Sequence, residues 1–194
     1  MFVTALTTIF AIAQAQDAIF RTDTKAGITA YTLGAEDKNG VGLYAFGYNT
    51  AFPEYDFGQV KKLWSHGPAY LYGGGYAAYW PGNNQGNAWF LQPWVIAGTS
   101  VGKVDFHLAV GGYAPLNGGP TVFFVNDASA LYNVSKTVAG GFGSISWEQT
   151  QAQPSFQYGP KFRFSLGSGY GLSMAAYLWG NKDPKFRCIL TKTF

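Results

Sequence analysis

Six polar side chains stand out: Asp105, His107, Lys161, Arg163, Lys185 and Arg187. They form three pairs, each spaced by two residues. In an extended chain, residues i and i+2 point to the same side, so each pair shares a face. The opposite face is apolar. Val104, Phe106, Leu108 and Val110 surround the first pair, and Phe162, Phe164 and Leu166 accompany the second. Gathered inside a passage, such charges draw anionic solutes, as charged rings do in channels. Paired with one another, they instead fill a narrow interior.

Catalysis has a thinner basis. The two histidines are His66 and His107. His107 shares a face with Asp105 and serines are common, so a lipid hydrolase using His107 and a serine is possible by composition. No G-x-S-x-G occurs, and no spacing signature of a Ser–His–Asp triad exists. No catalytic residue is assigned, and the chain is read as a non-enzyme. Gly73-Gly74-Gly75 and Gly140-Gly141 lie in strand patterns with no following helix, so they are not phosphate loops. The single Cys188 excludes a disulfide framework and a zinc site of paired cysteines. No metal site and no cofactor is indicated.

The elements that carry these residues are strands. Period-2 alternation recurs from residue 25 almost to the end. Glycine, aromatic and β-branched residues disfavour helix throughout. Ten strands are expected, over 26–35, 39–50, 66–80, 86–99, 103–113, 120–134, 137–149, 154–166, 169–180 and 184–194. Thr50 to Ser65 is left as a long connection, or as an extra element that would change the count by two. Most segments run about 10 to 14 residues, the length that crosses a bilayer at a tilt.

Composition excludes several classes. The chain has 194 residues, of which 12% are charged and 18% aromatic. The mean hydropathy is −0.01. No apolar run reaches the roughly 18 residues of a membrane helix. A disordered chain would lack the aromatics. The net charge of +3 is small and scattered, so nucleic acid is not a partner. At the N-terminus, Val3 to Ala13 is mostly apolar and Ala13-Gln14-Ala15 fits a small-x-small cleavage site. Residues 1–15 are therefore expected to be a signal peptide and 16–194 a single β-barrel domain.

The last ten residues, Lys185 to Phe194, resemble the final strand of bacterial outer-membrane β-barrels. In that class a terminal aromatic residue follows apolar residues at alternate positions. Phe194, Leu190, Cys188 and Phe186 match, whereas Lys192 stands where the class prefers an apolar residue. Together with the strand repeat and leader, this is similar to the class of small porin-like and OmpA- or OmpX-like proteins. The resemblance implies an antiparallel up-and-down transmembrane β-barrel of about 10 strands, with 8 or 12 as alternatives. It implies the outer membrane as location, membrane lipid and the barrel assembly machinery as partners, and Phe194, Leu190 and Phe186 as the assembly signal. A narrow porin-like channel for small anionic or polar solutes, or a structural membrane component, follows as the expected function.

Loop lengths agree with that class once the C-terminus is placed on the periplasmic side. Thr99 to Gly102, Val134-Ser135-Lys136 and Ser168 with its glycines become short turns. Pro81 to Gln85, Ala114 to Pro120, Gln149 to Gln153 and Asn181 to Pro184 become longer external loops. The alternative is a secreted or periplasmic barrel of lipocalin type that binds a small apolar ligand. It would turn Val104, Phe106, Leu108 and Val110 inward and the charges outward.

Overall fold

The computed structural model describes residues 16–25, 28–48, 51–80, 89–149 and 153–194. The expected signal segment, 1–15, lies outside the described residues, as do 81–85 and 150–152 of two expected loops and 86–88 of the expected strand 86–99.

The strands are β1 (Asp17–Lys25), β2 (Ile28–Glu36), β3 (Val41–Tyr48), β4 (Ala51–His66), β5 (Ala69–Tyr79), β6 (Trp89–Val101) and β7 (Val104–Pro115). They continue as β8 (Val122–Asn133), β9 (Val138–Gln149), β10 (Ser155–Gly167), β11 (Tyr170–Tyr177), β12 (Trp179–Gly180) and β13 (Lys185–Thr193). From β1 to β11 each strand pairs antiparallel with the next, and β13 closes the ring between β11 and β1. β12 is two residues long and continues the partner edge of β10 past Leu178. The ring thus has twelve strands plus this short segment. Closure leaves no free sheet edge around the ring, which is what an apolar solvent demands of strands. At the seam, the Phe194 amide donates to the Gln16 carbonyl at 2.8 Å.

The count corrects the expected ten, at the upper of the two alternatives. Both added strands are ones that charge obscured. β4 occupies the stretch expected to be a connection. Its register with β3 runs from Tyr48↔Ala51 to Val41↔Gln59, and with β5 from Tyr55↔Tyr79 to His66↔Ala69. β1 precedes the first expected strand, and its partners are Glu36 to Ile28 on one side and Thr193 to Lys185 on the other.

The connections alternate between the two ends. At the end shared by the chain termini, turns are tight. Asp37 Oδ1 accepts from the amides of Asn39 (2.8 Å) and Val41 (2.9 Å), and Gly40 follows at φ +75°. These amide donors hold the Asp37 carboxyl below its usual range. Gly167-Ser168-Gly169 makes another turn, with Ser168 itself at φ +50°. Lys192, the departure from the terminal pattern, donates to the Ser168 carbonyl, and its ammonium lies 4.4 Å from the Tyr170 ring centroid. It satisfies its charge at the rim, as a snorkelling lysine does.

Polarity is inverted relative to a water-soluble barrel. Phe106 is 45% exposed and Leu108 41%, whereas Lys161 and Arg187 are 8% and 6%. The apolar faces therefore point out and the charges in, opposite to the arrangement an apolar-ligand barrel requires. This sets up a discriminating substitution. Leu108→Arg is expected to destabilise the barrel in lipid by about 2–4 kcal/mol, the cost of a cation near the bilayer midplane. Urea unfolding in vesicles measures it. A loss under about 0.5 kcal/mol, usual for a surface change in water, would contradict the lipid-facing assignment.

Candidate functional site

The inward face gathers its charges into three linked clusters. The first centres on Asp23 of β1. Arg21 Nε donates to Asp23 Oδ2 at 2.5 Å, and Arg187 Nε of β13 donates to Oδ1 at 2.7 Å. Lys185 Nζ stands 3.6 Å from the same Oδ1. One carboxylate thus serves three cations. The same two arginines also reach β8, which is not a neighbour of β1 or β13. Arg21 Nη1 donates to Asn126 Oδ1 at 2.7 Å, and Arg187 Nη1 donates to the Asn126 carbonyl. The lumen is therefore crossed by side chains.

Asn126 can take this place because the register between β8 and its neighbours shifts there. Val110↔Val125 is followed by Ala109↔Asp127. The extra residue puts Asn126 and Asp127 on the inner side together, as a β-bulge does.

The second cluster uses Asp127. Lys161 Nζ of β10 donates to Asp127 Oδ2 at 2.5 Å and to Ser129 Oγ at 3.3 Å. His107 Nε2 lies 3.7 Å from Asp127 Oδ2, and its Nδ1 shares a hydrogen bond of 2.9 Å with the Tyr70 hydroxyl. A serine, a histidine and an aspartate do meet here, since Ser129 is the register partner of His107. Their bonding is unlike a nucleophilic triad. Ser129 Oγ donates to Asp127 (3.3 Å), and Lys161 occupies that carboxylate.

The third cluster lies at the turn end. Arg163 donates to Asp105 and, at 3.1 Å, to Asn133 Oδ1. Ser100 Oγ donates to the other Asp105 oxygen at 2.6 Å. The six residues singled out from the sequence thus divide among three clusters: Lys185 and Arg187 in the first, His107 and Lys161 in the second, Asp105 and Arg163 in the third. None is free of a carboxylate or cation partner.

Sequence reasoning missed the partners. Arg21 and Asp23 alternate on β1 as the others do, so their signal was present in a strand that was not expected. Asn126 and Asp127 carry no periodic signal, because the bulge breaks the alternation. A separate acidic arc was also missed. Glu36 accepts from Tyr44 and, at 3.1 Å, from Tyr76. The Tyr44 ring lies on bare backbone, where a Cβ at Gly42 would stand 2.7 Å from it. Glu54 and Asp56 of β4 are buried, and no ion pair joins them to a Lys or Arg among the described residues. The positive excess is consequently local, around Asp23, rather than a property of the whole lumen.

Toward the loop end the inner wall is aromatic. Phe124 lies 5.1 Å from Trp94, 5.4 Å from Tyr113 and 5.6 Å from Trp147, centroid to centroid. Such contacts stiffen the upper wall beyond what area burial supplies.

No family model and no curated protein matches the chain. Solved structures do. The KdgM porin in complex with disordered oligogalacturonate superposes with a TM-score of 0.66 at 12% identity, covering 92% of this chain and 99% of that one. A second KdgM porin structure gives 0.62 at 11% identity, covering 92% and 99%. The NanC porin gives 0.57 at 10% identity, covering 92% and 98%. The chain therefore has the fold of small outer-membrane porins.

Proposed function

We propose that the chain is an outer-membrane barrel that acts as a narrow porin-like channel for small polar or anionic solutes. The observation that supports this most directly is the inverted polarity: a closed ring with apolar side chains outside and linked charges inside. The side-chain bridge from Arg21 and Arg187 to Asn126 makes the passage narrow. The cationic excess at Asp23 gives an anionic group a place to pause, while the neighbouring carboxylates keep it from binding too tightly to leave. Residues 1–15 would direct export and be removed. Phe186 and Leu190 of β13, and Phe194 just past its end, are exposed, where the assembly machinery could read them.

The test starts with the full chain expressed in a Gram-negative host. Closed barrels often stay folded in SDS until heated, because every strand edge is paired. A heat-dependent shift in gel migration of the outer-membrane fraction is expected, followed by discrete conductance steps in planar bilayers. A soluble product with no shift would overturn the membrane assignment. A shifting band without conductance steps would make the lumen a plug and the chain a structural component.

A further inference from the structure

A shallow groove of about 340 Å³ runs along the outer wall of β6 to β9 near their loop ends. Its sides are Pro93, Val95, Val110, Phe123 and Val125, and Gly112 leaves it open where a side chain would stand. These residues share the outward parity of Phe106 and Leu108, by the registers Val95↔Val110, Val110↔Val125 and Gly112↔Phe123. The groove ends in two polar residues, Ser146 and Glu148. Glu148 sits one residue from the loop end of β9, beside Phe123.

Glu148 is unusual on this surface. The other strand carboxylates lie on the inward face, and Glu148 is an exposed acid pointing outward. No ion pair joins it to a Lys or Arg among the described residues, which include every Lys and Arg of the chain.

We infer that this groove is a site for a single membrane lipid, with an acyl chain in the groove and an ammonium-bearing headgroup on Glu148. The inference rests on the membrane reading above. An apolar groove alone carries no preference in a bilayer, since lipid tails are as apolar as the wall. Selectivity must come from the carboxylate at its head. A headgroup amine offers it charge-assisted hydrogen bonds, whereas an anionic headgroup is repelled.

Native mass spectrometry of the full chain, folded in a neutral detergent, tests this. Phosphatidylethanolamine and phosphatidylglycerol with identical acyl chains are added together. The amine lipid is expected to form adducts about three-fold more abundantly, the scale of an exposed ion pair. Glu148→Gln should make the two lipids equal. Val110→Trp, which fills the groove and stays lipid-compatible, should remove adducts of both. Each variant is first checked for the heat-dependent gel shift, so loss of the barrel and loss of the site are separable. Equal adducts in the unmodified chain, or a preference that survives Glu148→Gln, would overturn the proposal. So would phosphatidylglycerol adducts that exceed the amine lipid when magnesium is added, because Glu148 would then hold a divalent cation instead.

Discussion

Asp23→Asn is expected to lower the stability of the barrel by about 3–5 kcal/mol, the cost of removing one partner from a buried ion cluster. Asp23 is 7% exposed and is the carboxylate on which Arg21, Arg187 and Lys185 converge. Asparagine keeps the shape but not the charge. Three cations would then repel one another where water is scarce, with the Asn126 contacts as the remaining anchors for the two arginines. The matched control is Asp105→Asn. Asp105 also pairs with an arginine, but Arg163 is half-exposed at the turn end. Solvent screens that pair, and a loss of about 1 kcal/mol or less is expected. Urea unfolding of both variants in lipid vesicles, followed by the gel shift, gives the comparison. Equal losses would show that the Asp23 cluster is wetter than its burial indicates.

How much of this was legible in the sequence depends on which face carries the information. Strands such as β7 and β10 are read correctly because apolar residues mark every outward position, from Val104 to Val110 and from Phe156 to Leu166. β1 and β4 were lost for the opposite reason. β1 points Thr22 and Thr24 outward. β4 carries Glu54, Asp56, Lys61 and Lys62 and is interrupted by a register shift between Lys62 and Trp64. Their strand character comes from partners on both sides, which a local reading cannot see. The partners of the six singled-out residues were hidden similarly. Arg187 and Asn126 are 61 residues apart, and only barrel closure plus a bulge brings them together. Parity predicts which face a charge shares, and it does not predict what stands opposite.

The bridge itself makes the second large prediction. In the double variant Arg21→Ala/Arg187→Ala, single-channel conductance is expected to rise by about three-fold or more, since the side chains that cross the lumen are gone. Asp23 keeps Lys185 as a partner, so the ring should still form and show its gel shift. Ion preference should move at the same time. With two cations removed, the cluster keeps one cation, Lys185, against the Asp23 carboxylate, and the reversal potential in a salt gradient should shift toward cations. The pair Arg21→Lys/Arg187→Lys separates the two causes. Lysine keeps the charge but lacks the planar fork that holds Asp23 and Asn126 together. If conductance rises with lysine while ion preference stays, the bridge is a steric gate. If lysine leaves conductance unchanged and alanine raises it, charge rather than reach limits flow. Unchanged conductance in both variants would mean that the narrowest point lies elsewhere, and the aromatic wall around Phe124 and Trp147 would become the place to cut next.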